Sequence, residues 1–248
     1  MDFLLAHLSD PHIGATWAGD RDPVARLEAA VAAVLALRPG AVVVSGDLSE
    51  NGTDEEYERV RSLLAPLDDA VHVLPGNHDD RARLRHWFGL PGAGDEPIRY
   101  AADLGPLRLL ALDTTIPGAD AGALEGDQLA WLDAELAVAP DRPTVLAMHH
   151  TPLLTGLQDF DAFGLAAADR EALAGVVRRH PQVRRLVGGH VHIPLTTELG
   201  GRTVMTGPST YVQMGPGPGG IVHTDEPPGF AWHALVGGEL VSHAAFVR

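Results

Sequence analysis

Residues 41–47 read Ala41-Val42-Val43-Val44-Ser45-Gly46-Asp47, a short apolar run that breaks into a polar cluster ending on a carboxylate. The same pattern recurs on both sides of it. Upstream, Phe3 to Leu8 leads into Ser9-Asp10-Pro11-His12, and downstream Val71 to Leu74 leads into Pro75-Gly76-Asn77-His78-Asp79. Further on, Thr144 to Met148 leads into His149-His150, and Val183 to Val187 into Gly188-Gly189-His190-Val191-His192. Helical segments separate these runs. One is predicted from near Asp22, with Pro23 in its first turn, to just before Pro39-Gly40. A second opens on a Thr53/Glu56 capping box and reaches about Leu64, and a basic stretch runs from Arg81 to about Trp87. A fourth spans about Asp127 to Val138, with Leu129, Leu132 and Leu136 at helical spacing. Strands alternating with helices make an α/β fold, in which ligands gather beyond the carboxyl ends of the strands. Five polar motifs far apart in sequence are therefore expected in one pocket.

The remainder of the chain is less regular. Strands are predicted near Ile98–Ala101 and Leu107–Leu112, the second ending in Asp113-Thr114-Thr115, a turn or pocket rim. From about Thr196 the chain reads as strands and hairpins, with a turn at Gly200-Gly201 and Phe230–Val236 paired to Glu239–Phe246 across Gly237-Gly238. Residues 207–229 are rich in Gly and Pro and read as a loop, a lid or a contact between subunits. With the C-terminal strands they form an expected appendage, and a candidate homodimer or higher homo-oligomer interface. Neither a repeat nor a linker divides the sequence, so one domain over residues 1–248 is expected.

Composition narrows the function classes. Apolar residues make up 45% and charged residues 21% of the 248, the balance of a globular rather than a disordered chain. Lys and Arg total 18 against 33 Asp and Glu, a formal charge of −15 that repels a nucleic-acid backbone and favours small anionic substrates. The sequence has no cysteine, which excludes a disulfide framework, thiolate ligands and a thiol nucleophile. Met1 to Leu5 carries no basic segment, and no run approaches the ~18 apolar residues of a membrane span. A cytoplasmic protein without membrane contact is the expectation.

Carboxylate, amide and imidazole donors without sulfur suit Mn, Fe, Zn or Co. Asp10 and His12 are two residues apart, as are His190 and His192, a spacing that lets an extended chain aim both side chains at neighbouring points. Seven such donors exceed the needs of one four-coordinate ion. An isolated D-x-H or H-x-H is usually strand-end polarity; five clusters in this order, each closing an apolar run, are a different observation.

Asp10-x-His12, Gly46-Asp47, Gly76-Asn77-His78-Asp79, His149-His150 and Gly189-His190-x-His192 together resemble the signature of the calcineurin-like metallophosphoesterases, over about Leu4 to Leu195. Within that superfamily, the short form and Met148-His149-His150-x-Pro152 are similar to the bacterial class III cyclic nucleotide phosphodiesterases and related glycerophosphodiesterases. Pro208-Ser209-Thr210 and Phe230-Ala231-Trp232-His233 add to that similarity. The resemblance implies a four-layer αββα sandwich, two packed mixed sheets flanked by helices. It implies two divalent or trivalent ions, iron or manganese first and zinc or cobalt as alternatives. One would be held by Asp10, His12, Asp47 and His192, the other by Asp47, Asn77, His149 and His190, with Asp47 bridging. His78 is the implied catalytic residue, acting as a bridging hydroxide displaces the leaving oxygen in line. The implied substrate is a small phosphodiester, a 3′,5′-cyclic nucleotide ahead of glycerophosphodiesters, with a non-catalytic binding scaffold as the third reading. Asp79 is expected to orient His78 or cap the following helix, His150 to support the site or face substrate, and His223 to touch substrate.

Overall fold

Four apolar residues in a row can be buried only if both faces of their strand are covered, and that demand organises the whole chain. The computed structural model describes residues 2–247. Its elements in order are β1 (Phe3–Leu8), α1 (Pro23–Leu37), β2 (Ala41–Val44), α2 (Asp54–Leu64), β3 (Val71–Val73), α3 (Arg81–Phe88), β4 (Tyr100–Asp103) and β5 (Arg108–Leu112). There follow β6 (Thr115–Ile116), β7 (Ala119–Gly122), α4 (Gly126–Val138), β8 (Thr144–Met148), α5 (Gln158–Phe163), α6 (Ala167–Arg179) and β9 (Val183–Gly188). The chain ends with β10 (Thr196–Leu199), β11 (Arg202–Thr206), β12 (Met214–Gly217), β13 (Gly220–His223), β14 (Gly229–Val236) and β15 (Glu239–Phe246). Local chemistry starts the first helices where the sequence places them. Asp22 accepts from Val24 N ahead of Pro23, and the reciprocal Thr53–Glu56 capping box opens α2.

Two mixed sheets result, ordered β15-β14-β1-β2-β3 and β10-β11-β9-β8-β5-β4. The central strands of each run parallel, and antiparallel strands close both edges of the second sheet and one of the first. Side chains of period two then divide among three cores. Val42 and Val44 pack outward on Leu27 and Val31 of α1 and Tyr57 and Val60 of α2. Ala41 and Val43 point the other way, into a core shared with Leu109, Ala111, Val145 and Ala147 of the second sheet. Leu146 and Met148 cover the far side, against Leu132 and Leu136 of α4 and Leu173 and Val177 of α6. Three cores between successive layers make the expected four-layer αββα sandwich.

Several elements depart from the sequence reading. Helices α5 and α6 and the hairpin β6–β7 lie where no element was expected. Neither helix has a side-chain cap, the signal that marked α1 and α2. Strand β4 starts at Tyr100 rather than Ile98, because Ile98 N is taken by Asp113 Oδ2 at 2.8 Å. The 207–229 segment is not a structureless loop: residues 207–213 are buried, and β12 and β13 form a hairpin. Nor do the C-terminal strands stand aside as an appendage. Residues Gly229–Val236 pair with both β1 and β15 and so lie inside the first sheet.

Candidate metal centre

The carboxyl ends of β1, β2, β3, β8 and β9 meet at one edge of the sandwich and bring all seven candidate ligands together. Two groups share a member. Asp10, His12 and His192 offer donor atoms all within 4.8 Å of one another. Asp47 Oδ2 lies 3.5 Å from His12 Nε2 on that side and 3.3 Å from His149 Nε2 on the other. Beyond it, Asn77 Oδ1 is 3.0 Å from His149 Nε2 and 3.1 Å from His190 Nδ1. Asp47 thus stands between an Asp10/His12/His192 group and an Asn77/His149/His190 group.

The hydrogen bonds behind the rings fix what their front atoms offer. His12 Nδ1 donates to Glu50 Oε2 at 2.8 Å and His192 Nδ1 donates to Val212 O at 2.8 Å. Both Nε2 atoms therefore present lone pairs, and they face each other at 3.2 Å. His149 Nδ1 donates to Ser45 O at 2.8 Å, which turns its Nε2 lone pair toward the oxygens of Asn77 and Asp47. His190 Nε2 is buried with no hydrogen-bond partner. Lone pairs aimed at lone pairs and carboxylates require positive charge among them, and these residues fit a pair of metal ions.

Strain gathers at the same atoms. Among the described residues, six non-glycine residues have positive φ, and five are Asp10, His12, Asp47, His190 and His192, at 46° to 70°. The sixth, Arg38, caps α1. Left-handed backbone costs roughly 1–2 kcal/mol per residue, so its concentration at the candidate ligands marks a site shaped for binding rather than for stability. The motif glycines Gly46, Gly76 and Gly189 are required by close approach, Gly76 because a Cβ there would lie 2.1 Å from Asp47 Oδ1. A Cβ on Gly46 would lie 2.5 Å from His149 Nδ1, and one on Gly189 would collide with Ser9 Oγ and Asp10 Oδ2.

The sequence profile described as Calcineurin-like phosphoesterase matches residues 3–194, most of the chain and every one of these donors. This chain belongs to that family. The glycerophosphodiester phosphodiesterase GpdQ of Enterobacter lignolyticus is 34% identical over 97% of this chain and 90% of its own. The 3′,5′-cyclic adenosine monophosphate phosphodiesterase CpdA of Pseudomonas aeruginosa is 33% identical over 94% and 85% respectively. A dimetal phosphatase from Danio rerio shares the fold, with a TM-score of 0.75 at 19% identity over 99% of this chain and 96% of that one.

As in any phosphoesterase, the electrostatics around the reacting groups matter. Burial alone would raise Asp10, but His192 and His149 outweigh it and hold the carboxyl well below its usual range. Asp47 behaves likewise: burial is overcome by His149 and then His12. Burial opposes a charged His149, yet the Asp47 and Asp10 carboxylates lift it to about 9. The centre of this phosphoesterase is thus built on buried carboxylates kept ionised beside imidazoles, a donor set suited to cations.

His78 lines the cavity above the donors and is partly exposed. Its Nδ1 donates to Glu50 O at 3.1 Å, which leaves Nε2 for a substrate, and its N–H donates to Asp47 Oδ1 at 3.0 Å. Burial disfavours its cation, but Asp47 and Glu50 raise its pKa on balance. Asp79 neither orients His78 nor caps α3. It accepts from Leu48 N, Ser49 N, Gly76 N and Tyr57 Oη at 2.9–3.2 Å, tying the Gly46-Asp47 loop to the Gly76-Asn77 loop. The cap is Asp80, which accepts from Arg83 N. Burial, with the Asp47 charge adding, pushes Asp79 up to about 7. His150 is buried between Thr114 Oγ1 at 2.9 Å and Asp120 O at 3.0 Å, its ring against His190. His223 sits on the exposed β13, its ring 5.2 Å from Trp17 at the cavity mouth. Of Asp113-Thr114-Thr115, the first two are fully buried, Asp113 in an ion pair with Arg81 at 2.7 Å, while Thr115 lines a hollow beside Asn77 and His78.

Sequence reasoning missed Glu50. One carboxylate oxygen holds His12, the other accepts Trp17 Nε1 at 3.0 Å, and its carbonyl holds His78. Ser209 and Val212 were missed as well. Ser209 Oγ donates to Asp10 O at 2.8 Å, and Val212 O sets the tautomer of His192.

Proposed function

We propose that the chain hydrolyses small phosphodiesters, 3′,5′-cyclic nucleotides first among them, at a two-metal centre formed by Asp10, His12, Asp47, Asn77, His149, His190 and His192. The observation that carries this reading is the position of Asp47 Oδ2, 3.5 Å from His12 Nε2 and 3.3 Å from His149 Nε2, between two groups of donors. Two bound cations would neutralise charge on the phosphate oxygens and make water nucleophilic at neutral pH. Iron or manganese suits the oxygen and nitrogen donors, with zinc or cobalt as alternatives. The protein's own part is to hold the phosphate and manage its proton. His78, raised by Asp47 and Glu50 and anchored through Nδ1, protonates the leaving oxygen or bonds to it as charge builds. Glu50 keeps His12 in the tautomer that offers Nε2.

The names of the relatives point to phosphodiesters. CpdA of Pseudomonas aeruginosa is named for cyclic adenosine monophosphate, and a Mycobacterium tuberculosis relative at 33% identity is named a cAMP/cGMP dual specificity phosphodiesterase. The second reading, a glycerophosphodiester hydrolase, draws on the Enterobacter relative. A formal charge of −15 argues against polymeric nucleic acid as substrate. A non-catalytic scaffold has no use for seven converging donors and an anchored His78. We read the chain as one catalytic domain working in the cytoplasm, in keeping with its lack of cysteine. None of its described helices is long and apolar enough to cross a membrane. A homodimer through the β12–β13 hairpin is part of the same proposal.

Metal content and kinetics of His78→Ala test the reading. Metal should be unchanged while kcat on cyclic AMP falls roughly 10²–10⁴-fold, with a smaller loss on bis(p-nitrophenyl) phosphate, whose leaving group needs no proton. Loss of metal from this variant would make His78 a ligand and overturn its assignment.

A further inference from the structure

The cavity above the donors has two unlike sides. Its volume is about 300 Å³, at the lower end for a small-molecule site. Beyond the polar atoms of the centre it is walled by Trp17, Phe160, Phe163 and Met214. Two of these are large apolar side chains left open to solvent, Trp17 at 38% and Phe163 at 44% exposure. Across Asn77 and His78, which both hollows share, a second hollow of about 220 Å³ presents Asn51, Asp80 and Arg83 instead.

The apolar wall is built to stay in place. Trp17 is pinned through Nε1 to Glu50 and its ring meets the Tyr211 ring edge-on, with centroids 4.9 Å apart. Phe160, only 9% exposed, anchors the short helix α5 that carries Phe163 to its end. Rings exposed beside a phosphate-binding centre offer stacking surface that a nucleobase can cover with its whole π face, whereas a glycerol arm, with neither π face nor cation, gains little from it. The polar hollow suits hydroxyl-bearing arms of a substrate.

We propose that Trp17, Phe160, Phe163 and Met214 form a nucleobase-stacking subsite that makes this enzyme select nucleoside-bearing phosphodiesters over glycerophosphodiesters. The proposal rests on the phosphodiester hydrolase reading and chooses between its two substrate classes. The base lies on the Trp17–Phe163 side of the reacting phosphate, with the ribose between them.

Two measurements on the metal-loaded protein test it, with wild type, Phe163→Ala and Met214→Ala. Phe163 and Met214 lie at the cavity surface, so folding is checked by thermal melting and is expected to hold. The first is the ratio of kcat/KM on cyclic AMP to kcat/KM on glycerophosphoethanolamine. The ratio should exceed one in wild type and fall roughly 5- to 150-fold in Phe163→Ala, the range for one lost base–aromatic stack. The second is calorimetric binding of adenosine 5′-monophosphate against glycerol 3-phosphate, which needs no turnover. The nucleotide should bind more tightly to wild type, and the difference should shrink in both variants. A wild-type ratio below one, an equal loss on both substrates, or equal binding of the two monophosphates would overturn the subsite and leave the hydrolase standing. Wild type that hydrolyses no phosphodiester would sink the hydrolase reading, while the binding comparison would still decide the subsite.

Discussion

Glu50 joins the two kinds of residue in the site, since its carboxylate holds the candidate ligand His12 and its carbonyl holds the candidate proton donor His78. Removing the charge while keeping the shape separates these duties. Glu50→Gln should weaken metal binding roughly 10- to 100-fold, as loss of a ligand's outer partner does. It should leave kcat within a few-fold of wild type at saturating metal, because the carbonyl that anchors His78 remains. Metal titration followed by kinetics reads both numbers, and unchanged metal affinity would remove Glu50 from the centre. At this scale the sequence was most informative where a side chain itself is the donor. Asp10, His12, Asp47, Asn77, His149, His190 and His192 each close an apolar run, and all seven meet. Glu50 carried no such mark, because its contact to His12 spans 38 residues and comes from a loop that folds back. Val212 was invisible for a stronger reason: it acts through its backbone carbonyl, which every residue has.

Elements with a local cause were legible, and those held only by tertiary packing were not. The apolar runs of β1, β2, β8 and β9 and the caps of α1 and α2 lie where the sequence places them. Helix α6 has a usable apolar stripe at Leu173, Ala174, Val176 and Val177 but no cap, and its stability comes from packing on α4 and the second sheet. The two cases predict different mutational costs. Thr53→Ala should cost about 1 kcal/mol, the worth of one cap. Leu173→Ala, which empties a fully buried position, should cost about 2–5 kcal/mol. Urea unfolding of both variants checks the order, and a Thr53→Ala loss larger than that of Leu173→Ala would reverse this account of what holds the helices. The stretch 207–213 is the instructive miss. It opens a longer Gly- and Pro-rich segment that resembles a solvated loop, yet Ser209 and Gln213 satisfy its backbone internally: Tyr211 N and Val212 N donate to Ser209 Oγ, and Ser209 N donates to Gln213 Oε1. It is buried against the metal centre, with Ser209 Oγ on Asp10 O.

The sandwich as a whole has to bury polar groups beneath the site, and that sets its response to acid. His7 is fully buried, its Nε2 against Ser45 Oγ at 2.7 Å and its ring stacked 5.8 Å from His233. Burial lowers His7 to about 4, and burial together with the neighbouring His7 charge lowers His233. An unfolded histidine titrates near 6.5, so between about 6.5 and 4 the unfolded chain takes up a proton that the folded chain refuses. The contribution of His7 is therefore level above about 6.5 and falls with pH down to about 4, by about 3 kcal/mol. Urea unfolding of metal-free wild type and His7→Gln across that window should differ by this slope; equal slopes would contradict the assignment. The layers, the strained strand ends and the buried carboxylates all serve one claim, that this chain holds two metal ions around a shared Asp47. Diffraction from crystals grown with manganese, recorded at its absorption edge, tests that claim most directly. Two anomalous peaks per chain are expected, one enclosed by Asp10, His12 and His192 and the other by Asn77, His149 and His190, with Asp47 contacting both. A single peak in active protein, or two peaks of which only one touches Asp47, would contradict it.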